Sequence, residues 1–106
     1  MKQYNVKITN KALGDMEAIY NYIADELLNP DAAIGQYNRI AVAIESLKAF
    51  PERCRMFDSQ PERNLGMRQI AVDNYVAVYV IQDDNVVVLR VLYSASDINA
   101  RLREDR

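Results

Sequence analysis

The chain has 106 residues, half of them apolar and 26% charged, with a formal net charge of −2. That is the size and composition of one globular domain, and it excludes a disordered or low-complexity chain. One cysteine, no histidine and an even mixture of charge (seven basic and eight acidic residues through position 60, six and seven after it) exclude a disulfide scaffold, most zinc sites and a bulk basic arm for nucleic acid.

Residues 3–8 alternate, with Tyr4, Val6 and Ile8 on one side, which predicts a half-buried strand. Thr9 or Asn10 is placed to cap a helix over about 11–28, whose apolar stripe is Ala12, Leu13, Met16, Ile19, Tyr20, Ile23 and Leu27. Asn29-Pro30 breaks it, and Pro30 suits the first turn of a second helix. Ala33, Tyr37, Ile40, Ala41, Ile44 and Leu47 form that helix's stripe, and Pro51 ends it near residue 49. The short break makes the pair an antiparallel hairpin, with Gly14 and Gly35 expected where the helices pack closely.

Residues 51–66 hold two prolines, a glycine and many charges, and read as a loop. Three β-branched runs follow, at 67–73, 75–81 and 86–93. The last two are joined by turn residues Asp83-Asp84-Asn85 and are apolar on both faces, as in mid-sheet strands. Strict alternation puts Val86, Val88, Arg90 and Leu92 on one face and Val87, Leu89, Val91 and Tyr93 on the other. The tail starts a short helix at Ser96 or Asp97, anchored only by Ile98 and Leu102. The expected fold is α+β in the order β-α-α-β-β-β: a single domain over 1–106 in which one antiparallel sheet carries the helix hairpin on one face, the other face being partly open.

The missing residues narrow the chemistry. Without histidine there is no ordinary general base or triad, and with three glycines there is no phosphate-cradling loop. Dinucleotide enzymes, zinc hydrolases and P-loop NTPases are set aside, and no metal or cofactor is expected. The MKQYNVKI start has no apolar stretch of signal-peptide type, and the longest apolar run, 75–81, is far below the ~20 residues of a membrane span. A cytoplasmic protein with no membrane association is expected. Arg68 and Arg90 stand out because each interrupts an apolar strand, where a guanidinium needs a partner or a solvent-facing target. An ion pair of Arg90 with Asp73 or Asp97 is the structural alternative.

The segment Gly66 to Asp97 resembles the C-terminal half of RelE/ParE toxins, the plasmid stabilisation family. The matching elements are Gly66-Met67-Arg68, which opens a strand, then Tyr75 and Tyr79, and then Val91-Leu92-Tyr93. The first half is similar too, through Met16, Ile19, Tyr22 and Ile23, the pair Ala32-Ala33, and Leu47 with Pro51, so the resemblance spans about residues 4–97. It implies the toxin of a type II toxin–antitoxin system, which inhibits growth and is neutralised by a cognate antitoxin that wraps it with an otherwise disordered segment. It implies two possible targets: DNA gyrase, for a ParE-like inhibitor, or the ribosome with mRNA, for a RelE-like endoribonuclease. A third alternative is a relative that has lost its activity but still binds antitoxin. The nuclease reading makes Arg68, Arg90, Tyr79 and Tyr93 the catalytic set, converging on one concave patch. The chain departs from those strongly basic nucleases in its net charge, and only Lys48, with Arg53 and Arg55 as substitutes, lies near the loop that carries their basic residues. The ParE-like reading is therefore preferred, with Arg68 and Arg90 expected to matter more for toxicity than for folding.

Overall fold

The computed structural model describes residues 2–104; residues 1, 105 and 106, which include the end of the tail, lie outside it. Strand β1 (Asn5–Ile8) leads into helix α1 (Asn10–Asn21), followed by a π turn at Tyr22–Glu26 and helix α2 (Pro30–Glu45). A charged loop then connects to strands β2 (Arg68–Val72), β3 (Tyr75–Gln82) and β4 (Asn85–Tyr93), and helix α3 (Ile98–Glu104) closes the described chain. Thr9 caps α1 by accepting from the Ala12 N–H at 3.1 Å. Its hydroxyl also donates to the Leu89 carbonyl, so the cap fastens α1 to β4. Asn29 caps α2 in the same way through the Ala32 N–H, with Pro30 in the first turn.

The sheet order is β1-β4-β3-β2. The expected layering holds, but the sheet is mixed: β2, β3 and β4 are antiparallel neighbours, whereas β1 runs parallel to β4. The two helices between β1 and the later strands carry the chain across the sheet, which permits a parallel partner. Alternation along β4 also breaks. The register shifts between Val78 and Tyr79, leaving Leu89 as the extra residue of a bulge. Val86, Val88 and Val91 therefore share the helix-side core, while Leu92 faces the other way.

That core packs Ala12 and Met16 of α1, Ile40 and Ile44 of α2 and Leu47 onto Tyr79, Val86, Val88 and Val91. Each fully buried aliphatic side chain contributes roughly 1.5–3 kcal/mol. The opposite face has its own cluster, in which Leu102 of α3, with Phe57 and Met67 of the loop, covers Val76, Val78, Val80 and Leu92. The glycines do not mark close helix packing. A Cβ at Gly14 would meet nothing within 4 Å, and one at Gly35 only the flexible end of Arg39, so no neighbouring helix crowds either position. Leu28, which ends the π turn, has φ 52, a left-handed conformation that costs a non-glycine residue roughly 1–2 kcal/mol. No helix among the described residues is long and apolar enough to cross a membrane.

Candidate functional site

Two of the four residues singled out in the sequence meet. Arg68 opens β2 directly opposite Tyr79 of β3, and both reach the loop that follows α2. The Arg68 guanidinium donates to the carbonyls of Cys54 at 2.8 Å and Glu52 at 3.1 Å. The Tyr79 hydroxyl donates to the Pro51 carbonyl at 2.6 Å, with the side chain fully buried. Burial, and next the Cys54 thiol beside it, push the Tyr79 phenol well above its ordinary value. Together they pin a loop whose backbone is unusual at Phe50, an exposed residue with φ 50. Arg53 secures the same loop, donating to the Ala49 carbonyl at 2.7 Å and the Phe50 carbonyl at 3.0 Å.

Arg90 is elsewhere and has a different partner from those expected. Its guanidinium forms a two-pronged pair with Asp15 of α1, at 2.7 and 2.9 Å, with the two side chains 7% and 14% exposed. Asp15 also accepts from the Val91 N–H at 2.9 Å. Of the expected partners, Asp73 is held by Arg39 at 2.7 Å and by Gln36. Asp97 caps α3 through the Ala100 N–H. Asp15 escapes a reading by composition, yet its position gives a signal: it lies three residues after Ala12 and four before Ile19, on the buried stripe of α1. An acid on an apolar stripe and an arginine in an apolar strand are complementary anomalies.

Tyr93, at the end of β4, stands opposite Tyr75, and their rings meet edge-on with centroids 5.8 Å apart. Tyr75 lies four residues before Tyr79 on β3, so Tyr93 is about 13 Å along the sheet from the Arg68–Tyr79 pair. Tyr93 is half exposed and borders a groove of about 570 Å³ with Tyr22, Tyr75 and Arg101. The four residues therefore occupy three environments: a loop anchor, a buried ion pair and a groove wall. A carboxylate that sequence reading missed is Glu62, fully buried in the charged loop over 51–66. Burial raises its pKa, but the Ser59 hydroxyl and Arg103 outweigh that and hold it below the usual carboxylate range.

A family model described as the ParE toxin of type II toxin–antitoxin system, parDE, matches residues 6–98. No curated protein matches the chain. Among solved structures, a chain of the chromosomal ParDE toxin–antitoxin system from P. aeruginosa is 21% identical, with a TM-score of 0.72 over 86% of this chain and 96% of that one. The RelBE2 toxin–antitoxin complex from Mycobacterium tuberculosis supplies a match of 23% identity and TM-score 0.61, covering 91% of this chain and 97% of that one. The archaeal RelE–RelB complex from Pyrococcus horikoshii supplies one of 15% identity and TM-score 0.58, covering 88% and 97%. At these identities the likeness to the solved structures is one of fold.

Proposed function

The chain belongs to the ParE toxin family of type II toxin–antitoxin systems, and on that premise we propose that it arrests growth by acting on DNA gyrase, without cleaving RNA, and that a cognate antitoxin neutralises it in the cytoplasm. The observation that carries the choice of target is the dispersal of Arg68, Tyr79, Arg90 and Tyr93. Cleavage at a 2′-hydroxyl needs a proton acceptor and cationic stabilisation of the phosphorane at one point. Tyr79 keeps its proton to higher pH than a free tyrosine, and its hydroxyl is engaged by Pro51. Arg90 is neutralised by Asp15. Arginine itself is a poor base. The net charge of −2 also argues against a protein that grips ribosomal RNA.

An antitoxin partner is supported by the family, and by the solved complexes that share the fold, which hold ParDE, RelBE2 and RelE–RelB pairs. The exposed apolar residues it would cover are not those of the second sheet face, which α3 already shields. They are Tyr22, Leu27, Leu28 and Tyr93, around the end of α1 and of β4. Induced expression tests the reading in cells. Growth should stop with a DNA-damage response and intact mRNA, and co-expressed antitoxin should restore it. Arrest with a prompt halt of translation and cleaved mRNA would overturn the choice of target.

A further inference from the structure

β1 stops at Ile8, opposite Val88, so β4 runs on to Tyr93 with no strand beside it on that edge among the described residues. The groove of about 570 Å³ at this place has an apolar floor of Ala18, Ile19, Leu27 and Val91. Tyr22, Tyr75 and Tyr93 wall it. Tyr93 and Tyr22 are near enough to Tyr75 to raise its phenol further, after burial has done so. None of the three hydroxyls has a hydrogen-bond partner among the described residues.

Of the two charged residues that line the groove, one is matched and one is not. Asp15 is its one lining carboxylate, and Arg90 and the Val91 N–H already engage both its oxygens. Arg101 is its one lining cation, and that guanidinium has no carboxylate or carbonyl partner among the described residues. Asp25 and Glu26, on the neighbouring π turn, do not line it. Leu28 follows the lining residue Leu27 in the chain without itself lining the groove; it is 82% exposed and held at φ 52, where asparagine or glycine would be less strained. Among the described residues, its side chain belongs to neither core cluster. An apolar floor, three free hydroxyl donors and one unpaired guanidinium complement an apolar side chain followed closely by a carboxylate.

We propose that this groove seats a short extended segment of the antitoxin that is both apolar and acidic, its apolar side chains on the floor and a carboxylate bridged by Arg101 and the tyrosine hydroxyls. This rests on the antitoxin reading above and adds where and by what chemistry one part of the partner is held. The space accommodates a few side chains rather than a helix or a domain, which suits a disordered segment that folds on binding.

Binding of the full-length cognate antitoxin to wild-type and variant toxin, measured by calorimetry beside the melting temperature of each toxin, tests it. Arg101→Glu should weaken binding about tenfold or more, and Arg101→Lys less, because lysine keeps the charge but loses the fork. Tyr93→Phe should cost a few-fold. Leu28→Asn is the variant that remains informative if Arg101→Glu folds poorly: it should raise the melting temperature and lower the affinity, opposite signs that a purely structural leucine would not produce. Arg101→Glu or Leu28→Asn binding within about twofold of wild type would overturn the groove assignment while leaving the antitoxin reading intact. Failure of the wild-type toxin to bind the antitoxin would overturn both. Unchanged antitoxin affinity with lost gyrase inhibition would give the groove to gyrase and overturn the proposal.

Discussion

Arg90 and Asp15 make each other tolerable in the interior: the guanidinium is 7% exposed, and it is gripped at two points by a carboxylate 75 residues away in sequence. Removing either partner strands a buried charge at a cost of about 3–5 kcal/mol. Arg90→Ala or Asp15→Ala should therefore lower the melting temperature by about 12 °C or more, measured by calorimetry, and any loss of toxicity should follow the loss of folded protein. Among the described residues Arg68 bonds only to carbonyls at a half-buried rim, so its replacement should cost about 1–2 kcal/mol and leave most molecules folded. The expectation that both arginines serve toxicity more than folding is thus replaced, for Arg90, by an internal pair. Tyr79 carries a pH signature. Its unfolded phenol ionises near 10.0 and its folded one later, so the unfolded state sheds its proton first and stability falls as pH climbs past about 10. Tyr79→Phe should be less stable at neutral pH by about 1–3 kcal/mol, because the Pro51 carbonyl loses its donor. It should also show a shallower alkaline decline. Equal slopes for the two proteins above pH 10 would contradict this.

The fold lies nearest the sequence at the level of elements. Capping by Thr9, the break at Asn29-Pro30 with the Pro30 start, the hairpin turn at Asp83 and the short helix anchored by Leu102 all follow from local chemistry within a few residues. What does not follow is non-local. No periodicity distinguishes a parallel from an antiparallel partner for β1, and a bulge at Leu89 reverses the alternation that placed Leu92 with Val88. The loop 51–66 misleads because polar composition normally means solvation. Glu62 is buried there because Ser59 and Arg103 satisfy it, and Arg103 belongs to α3, which sequence alone could not bring near. Helix α3 is short and is attached by Leu102, 3% exposed, by Ile98 packed beside it, and by Arg103 bonding to Glu62 and the Gln60 carbonyl. Leu→Ala in a core costs 2–5 kcal/mol where the structure must stay assembled. A seven-residue helix can instead detach, which caps the loss. Leu102→Ala should cost under about 2 kcal/mol, and native-state hydrogen exchange should show α3 amides unprotected while β3 and β4 keep their protection. Uniform loss of protection through the sheet would show that α3 is part of the cooperative core.

For the whole molecule, an α+β toxin fold of the ParE family underlies the proposed mode of action, which needs no bond cleavage by the toxin. The family was legible because its short motifs recur in order over most of the chain: Gly66-Met67-Arg68, the tyrosines of β3 and Val91-Leu92-Tyr93. The candidate site was legible only as a residue list. Whether four side chains converge depends on which face and which end of the sheet each occupies, and the bulge, the loop anchor and the Asp15 pair decided that here. A toxin that works by binding needs an exposed surface and tolerates a dispersed set of polar residues, whereas a nuclease does not. The most direct measurement sets purified toxin, free of antitoxin, against gyrase in a plasmid supercoiling reaction and, in parallel, against programmed ribosomes carrying defined mRNA. The account predicts inhibited supercoiling that antitoxin reverses stoichiometrically, with full-length mRNA on the ribosome. mRNA cut in the ribosomal A site, with supercoiling untouched, would contradict it.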